Sequence, residues 1–520
     1  MNCSISTLVC HSIRSYRDKI FYLDETGTLS FNELSSKLAS VQHVLYSHGL
    51  HRADTVAFTL DLNYLSVSVI IALFAYGYRV VPIYPETSQP VLEMIIEQTC
   101  PALFIHDPKI NTRFSLESFN VRNQSTLTID SIIKSLIISP SECIEFSDQD
   151  IDKDDTACVI FSSGTTGLPK GICLSQSSLV EGASIVSQYL RINSNDVILS
   201  SLRPNFDYGL NQIWCCLLTG ATLSGFNMRN PSNFVGALER TIPTIVPLMP
   251  AIIDILSNSI ITRALRNSPA LTYSIRLVCS SGGKLFPEQL QWLESTFYNA
   301  WICPMFGLSE AFRSSYVPHM HYKKKSASIG IPIPSVELLI IGNDDEVLAP
   351  GQIGELVHLG GVQAQGYLNN PQATNSRFRP LHHRPDKRVV RSGDLAFMDA
   401  DGFFYHIGRI DEQMKILGIR VSPTEVEDAL LRYPPVIRTV AFGSDIQEGP
   451  QKILVCMEVS CDFTHKDFHI FILNQMPPHY RPVKYLVVES FPVTGNGGKI
   501  DRSSIKASFH NSTTVVSLDP

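Results

Sequence analysis

Between Phe161 and Gly171 the chain reads Phe-Ser-Ser-Gly-Thr-Thr-Gly-Leu-Pro-Lys-Gly, which puts four hydroxyls, three glycines and a lysine into one turn. Glycines let successive backbone N–H groups face the same way, so such a turn can cradle a polyphosphate, helped by hydroxyls and a cation. The common P-loop requires a Ser or Thr directly after its lysine, to hold Mg2+. Here Lys170 follows Pro169 and precedes Gly171, so no hydroxyl stands in that place. Residues 172–174 are apolar and predict a second strand before any helix begins. The chemistry implied is nucleotide-phosphate binding by a strand–loop–strand turn, distinct from the kinase-type loop.

A sheet must hold that turn. Apolar, β-branched-rich segments at 55–60, 80–83, 102–105, 158–161 and 245–248 alternate with helical patterns. Leu179, Ala183, Val186 and Leu190 keep one helix face apolar, with Ser175 placed as the N-cap. Strand–helix alternation predicts an α/β fold with mainly parallel sheet. From 335 to 359, Gly and Pro turns separate short strands, which predicts a small β-subdomain. After a strand at 403–407 a domain boundary is set, giving residues 1–408 and 409–520. The second part reads as a small α+β unit: a helix at 423–431, strands near Thr439 and Leu454, a helix at 468–474 and a strand at 485–488.

Composition bounds the function. With 520 residues the chain exceeds one ordinary domain, and 44% hydrophobic residues suffice for a sizeable core. A net charge of −7 argues against a general nucleic-acid binder, which needs clustered cations. The run Lys323-Lys324-Lys325 reads as a solvated loop. The twelve cysteines form no zinc-type pairs, so buried thiols in a reducing compartment are expected. No apolar segment follows a basic start, and Arg79 and Pro82 interrupt the apolar window 64–85. No signal peptide and no membrane span are therefore expected, and a cytoplasmic enzyme is.

Further motifs accompany the loop in order along the chain. They are Gly77 to Pro85, Met305-Phe306-Gly307-Leu308-Ser309-Glu310, Gly354-Glu355-Leu356 and Gly366-Tyr367. Ser392-Gly393-Asp394-Leu395, Gly408-Arg409-Ile410-Asp411 and Pro492 to Arg502 follow. The series resembles that of the superfamily of acyl-CoA synthetases, nonribosomal-peptide adenylation domains and beetle luciferases, over nearly the whole chain. The resemblance implies a large N-terminal domain of two mixed or parallel sheets with packed helices and a small β-subdomain, then a small mobile α+β C-terminal domain. It also implies a reaction: an acid and ATP give an acyl-adenylate and pyrophosphate, and a thiol then takes the acyl group.

By that resemblance Ser162, Ser163, Gly164, Thr165, Thr166, Gly167 and Lys170 would hold the β- and γ-phosphates. Gly282, Gly283 and Gly307 would border the nucleotide, and Phe306 would stack on adenine, where tyrosine is commoner. Ser309 would bind phosphate, and Glu310 would coordinate Mg2+ as a hard oxygen ligand. Asp394 would accept both ribose hydroxyls, as an ionised carboxylate can, and Arg409 would contact ribose or phosphate. Lys499 would be the catalytic lysine, bridging the acid and the α-phosphate in the transition state. The family spacing P-x-T-x-x-G-K is one residue longer here, between Pro492 and Lys499. A glycine-rich loop can absorb the extra residue. Asp411 falls at the hinge about which the C-terminal domain would turn between half-reactions. Gly418 and Arg420 would line the path of the incoming thiol.

The acid is read from Phe206-Asp207-Tyr208-Gly209-Leu210, which falls where the family's pocket helix begins. In amino-acid-activating members an aspartate there pairs with the substrate α-ammonium, and a buried carboxylate needs such a partner. Asp207, with Tyr208 beside it, favours an amino acid; the alternative is that Asp207 caps a helix starting near Tyr208. Residues 416–427 and Glu310-Ala311-Phe312-Arg313-Ser314 look most like stand-alone acyl-CoA ligases. About twenty residues follow Lys499, fewer than a carrier domain needs. The expected thiol is thus a separate carrier protein or coenzyme A.

Overall fold

The computed structural model describes residues 2–115, 125–132, 146–162, 169–226, 228, 231–416, 419–444, 451–493 and 500–518. They fall into two compact units. The first lies within Met1–Leu338 and His358–Val390, the second within Leu339–Val357, Arg391–Thr494 and Lys499–Pro520.

The first unit holds two sheets. In one, the order is Gly366–Tyr367, Lys170–Ser175, Thr156–Ser162, Arg79–Pro82, Thr55–Thr59, Leu103–His106 and Ser125–Thr128. Its last five strands pair parallel, and the two at the Tyr367 end pair antiparallel. Every residue of Thr55–Thr59 is buried, as a parallel strand covered on both faces requires. The other sheet has nine strands, with Val197–Ser200, Ile245–Leu248, Leu277–Ser280 and Trp301–Phe306 parallel in its middle. This α/β architecture is the one the strand–helix alternation predicts.

Helices pack on these sheets for legible reasons. Tyr64–Ala75 is apolar nearly all round and is buried almost throughout, which accounts for the hydrophobic window. Asn63 begins it by accepting the Leu65 and Ser66 N–H groups. Phe74 meets Trp214 of the helix Asp207–Thr219 edge-on, with ring centres 4.9 Å apart. Gln176–Leu190 starts at Ser175, whose hydroxyl accepts from Ser178 N–H, as expected. Among the described residues no helix is long and apolar enough to cross a membrane.

Residues 339–341, 354–357, 391–398 and 404–409 of a four-stranded sheet, Val336–Ile341, Gly354–Gly360, Val389–Met398 and Phe404–Arg409 in that order, lie in the second unit. A short hairpin, Met414–Ile416 with Ile419–Val421, follows it. A further sheet of Val436–Gly443, Ile453–Val459, Lys484–Val487 and Val516–Ser517 packs with the helices Pro423–Leu430, His465–Gln475 and Arg502–Asn511. The expected helices and strands of this region are present, with ends displaced by one to a few residues.

Candidate active site

Thr156–Ser162 and Lys170–Ser175 are neighbouring antiparallel strands, with Ser162 opposite Lys170 and Phe161 opposite Gly171. The hydroxyl-rich loop is therefore the connection of a β-hairpin. Ser163, Gly164, Thr165, Thr166 and Gly167 lie outside the described residues. Lys170 stands exposed at the hairpin's mouth, its Nζ 5.2 Å from the centre of the Tyr367 ring. Tyr367 reaches it because Gly366–Tyr367 pairs with the same strand, Tyr367 lying opposite Ile172.

The strand Trp301–Phe306 delivers the next group. Half-buried Phe306 closes it opposite Ser315, and the Ser314 N–H returns to the Phe306 carbonyl at 2.9 Å. That tight return requires Gly307, because a Cβ there would lie 2.7 Å from the Phe312 carbonyl oxygen. Within the turn sit Ser309, partly exposed, and Glu310, buried. Glu310 Oε1 accepts the Tyr367 hydroxyl at 2.6 Å and stands 3.3 Å from Arg377 Nη2. No described residue engages Oε2. Among the described residues no three His, Cys, Asp or Glu side chains gather as a metal cluster. A lone carboxylate with one open oxygen fits Mg2+, which takes few protein ligands and keeps phosphate oxygens and water.

Phe312 adopts φ +60°, a left-handed value costly for a bulky residue. Its ring lies against Gly182, where a Cβ would fall 2.6 Å away. The strained residue turns Arg313 inward. Arg313 Nη1 donates to the Phe312 carbonyl at 2.7 Å and stands 3.5 Å from Asp207 Oδ2. Its guanidinium lies 4.6 Å from the centre of the Tyr208 ring, within cation–π range. Both charged side chains are buried, and Arg313 Nε and Nη2 meet no acceptor among the described residues.

Asp207 is the first residue of its helix rather than the cap. Phe206 occupies the cap position without a side-chain bond, and Asp207 Oδ1 accepts the Tyr208 N–H at 2.8 Å. Tyr208 hydroxyl donates to the Cys279 carbonyl at 3.1 Å, and burial pushes this phenol well above its usual range. Gly282 follows the Cys279 strand at φ +89°, where a Cβ would press on Met249 Cε at 2.7 Å. Gly283 comes next, close to Pro250.

In the second unit Asp394 is buried on the strand Val389–Met398. Its Oδ1 accepts from Arg409 Nη1 at 2.9 Å, with His406 Nε2 at 3.5 Å. Burial alone would raise this carboxyl. Hydrogen bonding and charge from His406, then from Arg409, outweigh burial and hold it below the ordinary carboxylate value. Arg409 has further partners: Nη1 also donates to the Ser392 carbonyl at 2.8 Å, and Nε to Asp411 Oδ1 at 3.3 Å. Glu355 Oε1 accepts the Gly393 N–H at 3.1 Å, which steadies the turn before Asp394. Lys499 and Gly418 lie outside the described residues, as does the Arg420 side chain. The ends of the lysine loop are nonetheless tied, by a Val493–Ile500 bridge and by Asp501 N–H to the Pro492 carbonyl at 2.8 Å.

The family model described as AMP-binding enzyme matches residues 10–368, more than half of the chain. The chain belongs to the AMP-binding enzyme family. Among its relatives, bacitracin synthase 3 of Bacillus licheniformis is 25% identical over 501 residues, covering 94% of this chain but 8% of that protein. Against the large synthases the chain thus spans a fifth of the relative's length or less. Zwittermicin A synthase ZmaJ of Bacillus cereus is 25% identical over 531 residues, covering 99% of this chain and 98% of that one. The fold is shared with O-succinylbenzoate coenzyme A synthetase of Bacillus subtilis in complex with AMP. That likeness has a TM-score of 0.82 at 20% identity, over 96% of this chain and 98% of that chain. ATP-bound MatB from Rhodopseudomonas palustris aligns with a TM-score of 0.84 at 19% identity, over 98% and 99%.

In this AMP-binding enzyme the structure adds residues to which the sequence assigns no role. Arg313 and Tyr367 stand inside motifs read for other positions, and Arg377 and His406 in none. The available signal was charge beside apolar residues in segments that had to be buried. Which carboxylate each would meet was not readable.

Proposed function

We propose that this AMP-binding enzyme is an AMP-forming ligase. It activates a carboxylic acid with ATP, releases pyrophosphate and passes the acyl group to a phosphopantetheine thiol. The supporting observation is that one side chain, Tyr367, touches both Lys170 and Glu310. The cation expected for the phosphates and the carboxylate expected for Mg2+ are thereby set side by side. Mg2+, when bound, would neutralise phosphate charge as pyrophosphate departs. The chain's own groups would do the rest. Ser162 to Lys170, with Ser309, would hold the phosphates, while Phe306, Gly307, Gly282 and Gly283 would border the base. Asp394 and Arg409 would fix the ribose, and Lys499 would meet the charge that develops on the acid and α-phosphate. Residues 409–520 would turn about Asp411 to bring Gly418 and Arg420 to the thiol.

For the acid, the first reading is an amino acid loaded onto a separate carrier protein in the cytoplasm. It is supported by the buried Asp207 carboxylate and by full-length likeness to a zwittermicin A synthase. A second reading, an acyl-CoA ligase for a fatty, aryl or other small acid, draws support from Arg313. That cation already faces Asp207, so the carboxylate does not need an ammonium to be neutralised. ATP–pyrophosphate exchange against amino, aryl and fatty acids tests both, and exchange with none would sink the ligase proposal. Lys499→Ala should lower exchange by about 10²–10³-fold yet still transfer a supplied acyl-adenylate to thiol. Equal loss in both half-reactions would refute the domain-turn assignment.

A further inference from the structure

Tyr367 is a motif residue whose contacts exceed any role read from the sequence. Its hydroxyl donates to Glu310 Oε1 at 2.6 Å, and its ring carries Lys170 Nζ at 5.2 Å from the centre. Arg377 Nη2 approaches the same oxygen, Oε1, from the helix Pro371–Arg377. A hydrogen-bond donor and a cation on one oxygen fix the rotation of the carboxylate and decide which oxygen is left for a metal ion. Tyr367 is itself held firmly. Its N–H donates to Thr374 Oγ1 at 2.9 Å, its strand pairs with Lys170–Ser175, and its ring packs 6.1 Å from that of Phe378. Leu368 N–H then donates to the Gly171 carbonyl at 2.7 Å, fastening the segment to the hairpin next to Lys170.

We propose that Tyr367 is a two-ended positioning residue, whose hydroxyl presents Glu310 Oε2 to Mg2+ and whose ring face places Lys170 for the nucleotide phosphates. The inference rests on reading Glu310 as the metal ligand and Lys170 as a phosphate ligand. The two ends are separable by mutation. Tyr367→Phe removes one hydroxyl and keeps the ring, whereas Tyr367→Leu removes both. A hydrogen-bond partner behind a metal ligand typically contributes about 10–100-fold to metal affinity. An exposed cation–π contact contributes about threefold.

The test uses the full chain with α,β-methylene-ATP, which cannot form an adenylate, and follows Mn2+ binding by its EPR signal. Tyr367→Phe should weaken Mn2+ binding in the ternary complex by about tenfold, with metal-free binding of the analogue unchanged. Tyr367→Leu should in addition weaken metal-free binding by about threefold. Glu310→Gln is the reference. If Tyr367→Phe binds Mn2+ like wild type while Glu310→Gln is weakened, the positioning role is wrong and the ligand role of Glu310 survives. If Glu310→Gln also binds Mn2+ like wild type, Glu310 is not the ligand and the hydroxyl end of the proposal falls with it. Equal metal-free binding in Tyr367→Phe and Tyr367→Leu overturns the Lys170 end alone.

Discussion

Two arginine pairs with a buried carboxylate, one in each unit, differ in how completely they are closed. In the second unit Asp394 faces Arg409 at 2.9 Å, and Arg409 Nη1 and Nε also donate to the Ser392 carbonyl and to Asp411. In the first unit Asp207 and Arg313 stand 3.5 Å apart, and Arg313 keeps Nε and Nη2 without acceptors among the described residues. A buried donor left unmet costs free energy, so the second arrangement is tolerated where something else is to be met. Under the proposed function, the open pair is where the substrate acid would supply the missing acceptor.

The largest effect expected from this contrast is on stability. Arg409→Gln removes the arginine from buried Asp394, leaving it His406, and should cost about 3 kcal/mol in chemical denaturation. Because the Asp394 carboxyl is held below its ordinary 3.8, its contribution is present above that pH. It is lost as pH falls through the depressed value. The wild-type and Arg409→Gln curves should therefore converge well below pH 4.

A second effect belongs to the first unit alone. His358 is buried beside Arg313's neighbour: its Nδ1 accepts the Ser314 hydroxyl at 3.0 Å and its Nε2–H donates to the Gly360 carbonyl at 3.0 Å. Those partners assign the neutral tautomer, and burial lowers the imidazole from 6.5 to about 4. The unfolded chain then takes up the proton first. Stability should fall as pH drops below about 6.5, by about 2 kcal/mol at pH 5, and level off near pH 4. Denaturation of His358→Gln at pH 7 and pH 5 should show that slope removed; an unchanged slope would place the acid sensitivity elsewhere.

The smallest stability effect separates the pairs most sharply. Arg313→Gln should cost only about 1 kcal/mol, because it removes unmet donors and leaves Asp207 its Tyr208 N–H at a helix N-terminus. Its larger effect should appear in the acid profile. Losing the internal cation should favour acids with an α-ammonium in pyrophosphate exchange, and Asp207→Ala should abolish exchange with amino acids selectively. A loss as large as that of Arg409→Gln would show that the Asp207–Arg313 pair is as closed as the other.

Much of the fold was legible. The strands around Val80, Phe104 and Val246 are runs of β-branched and apolar residues, and such runs bury themselves in a parallel sheet in any order of assembly. Ser175 announces its helix because a hydroxyl one residue before an apolar face has an N–H to accept. The helix Phe31–Ser47 has no counterpart among the sequence-based expectations, although Ser30 and Glu33 form a capping box that the spacing contains. The helix at Asp207 begins one residue earlier than the sequence suggests. Its cap is Phe206, which offers no oxygen, so the local signal points to the wrong position.

That a strand and not a helix follows the Ser162–Gly171 segment was determined by the sequence alone. Pro169, Lys170 and Gly171 fix a strand exit in place of a helix start, because proline, lysine order and the missing hydroxyl are covalent facts. Which charges meet was decided only by tertiary structure. Tyr367 reaches Glu310 across a separation of 57 residues, and Arg313 reaches Asp207 only because a left-handed Phe312 finds room over Gly182. Local propensity extends a few residues along the chain, whereas a buried charge takes its partner from whatever strand the sheet order sets beside it.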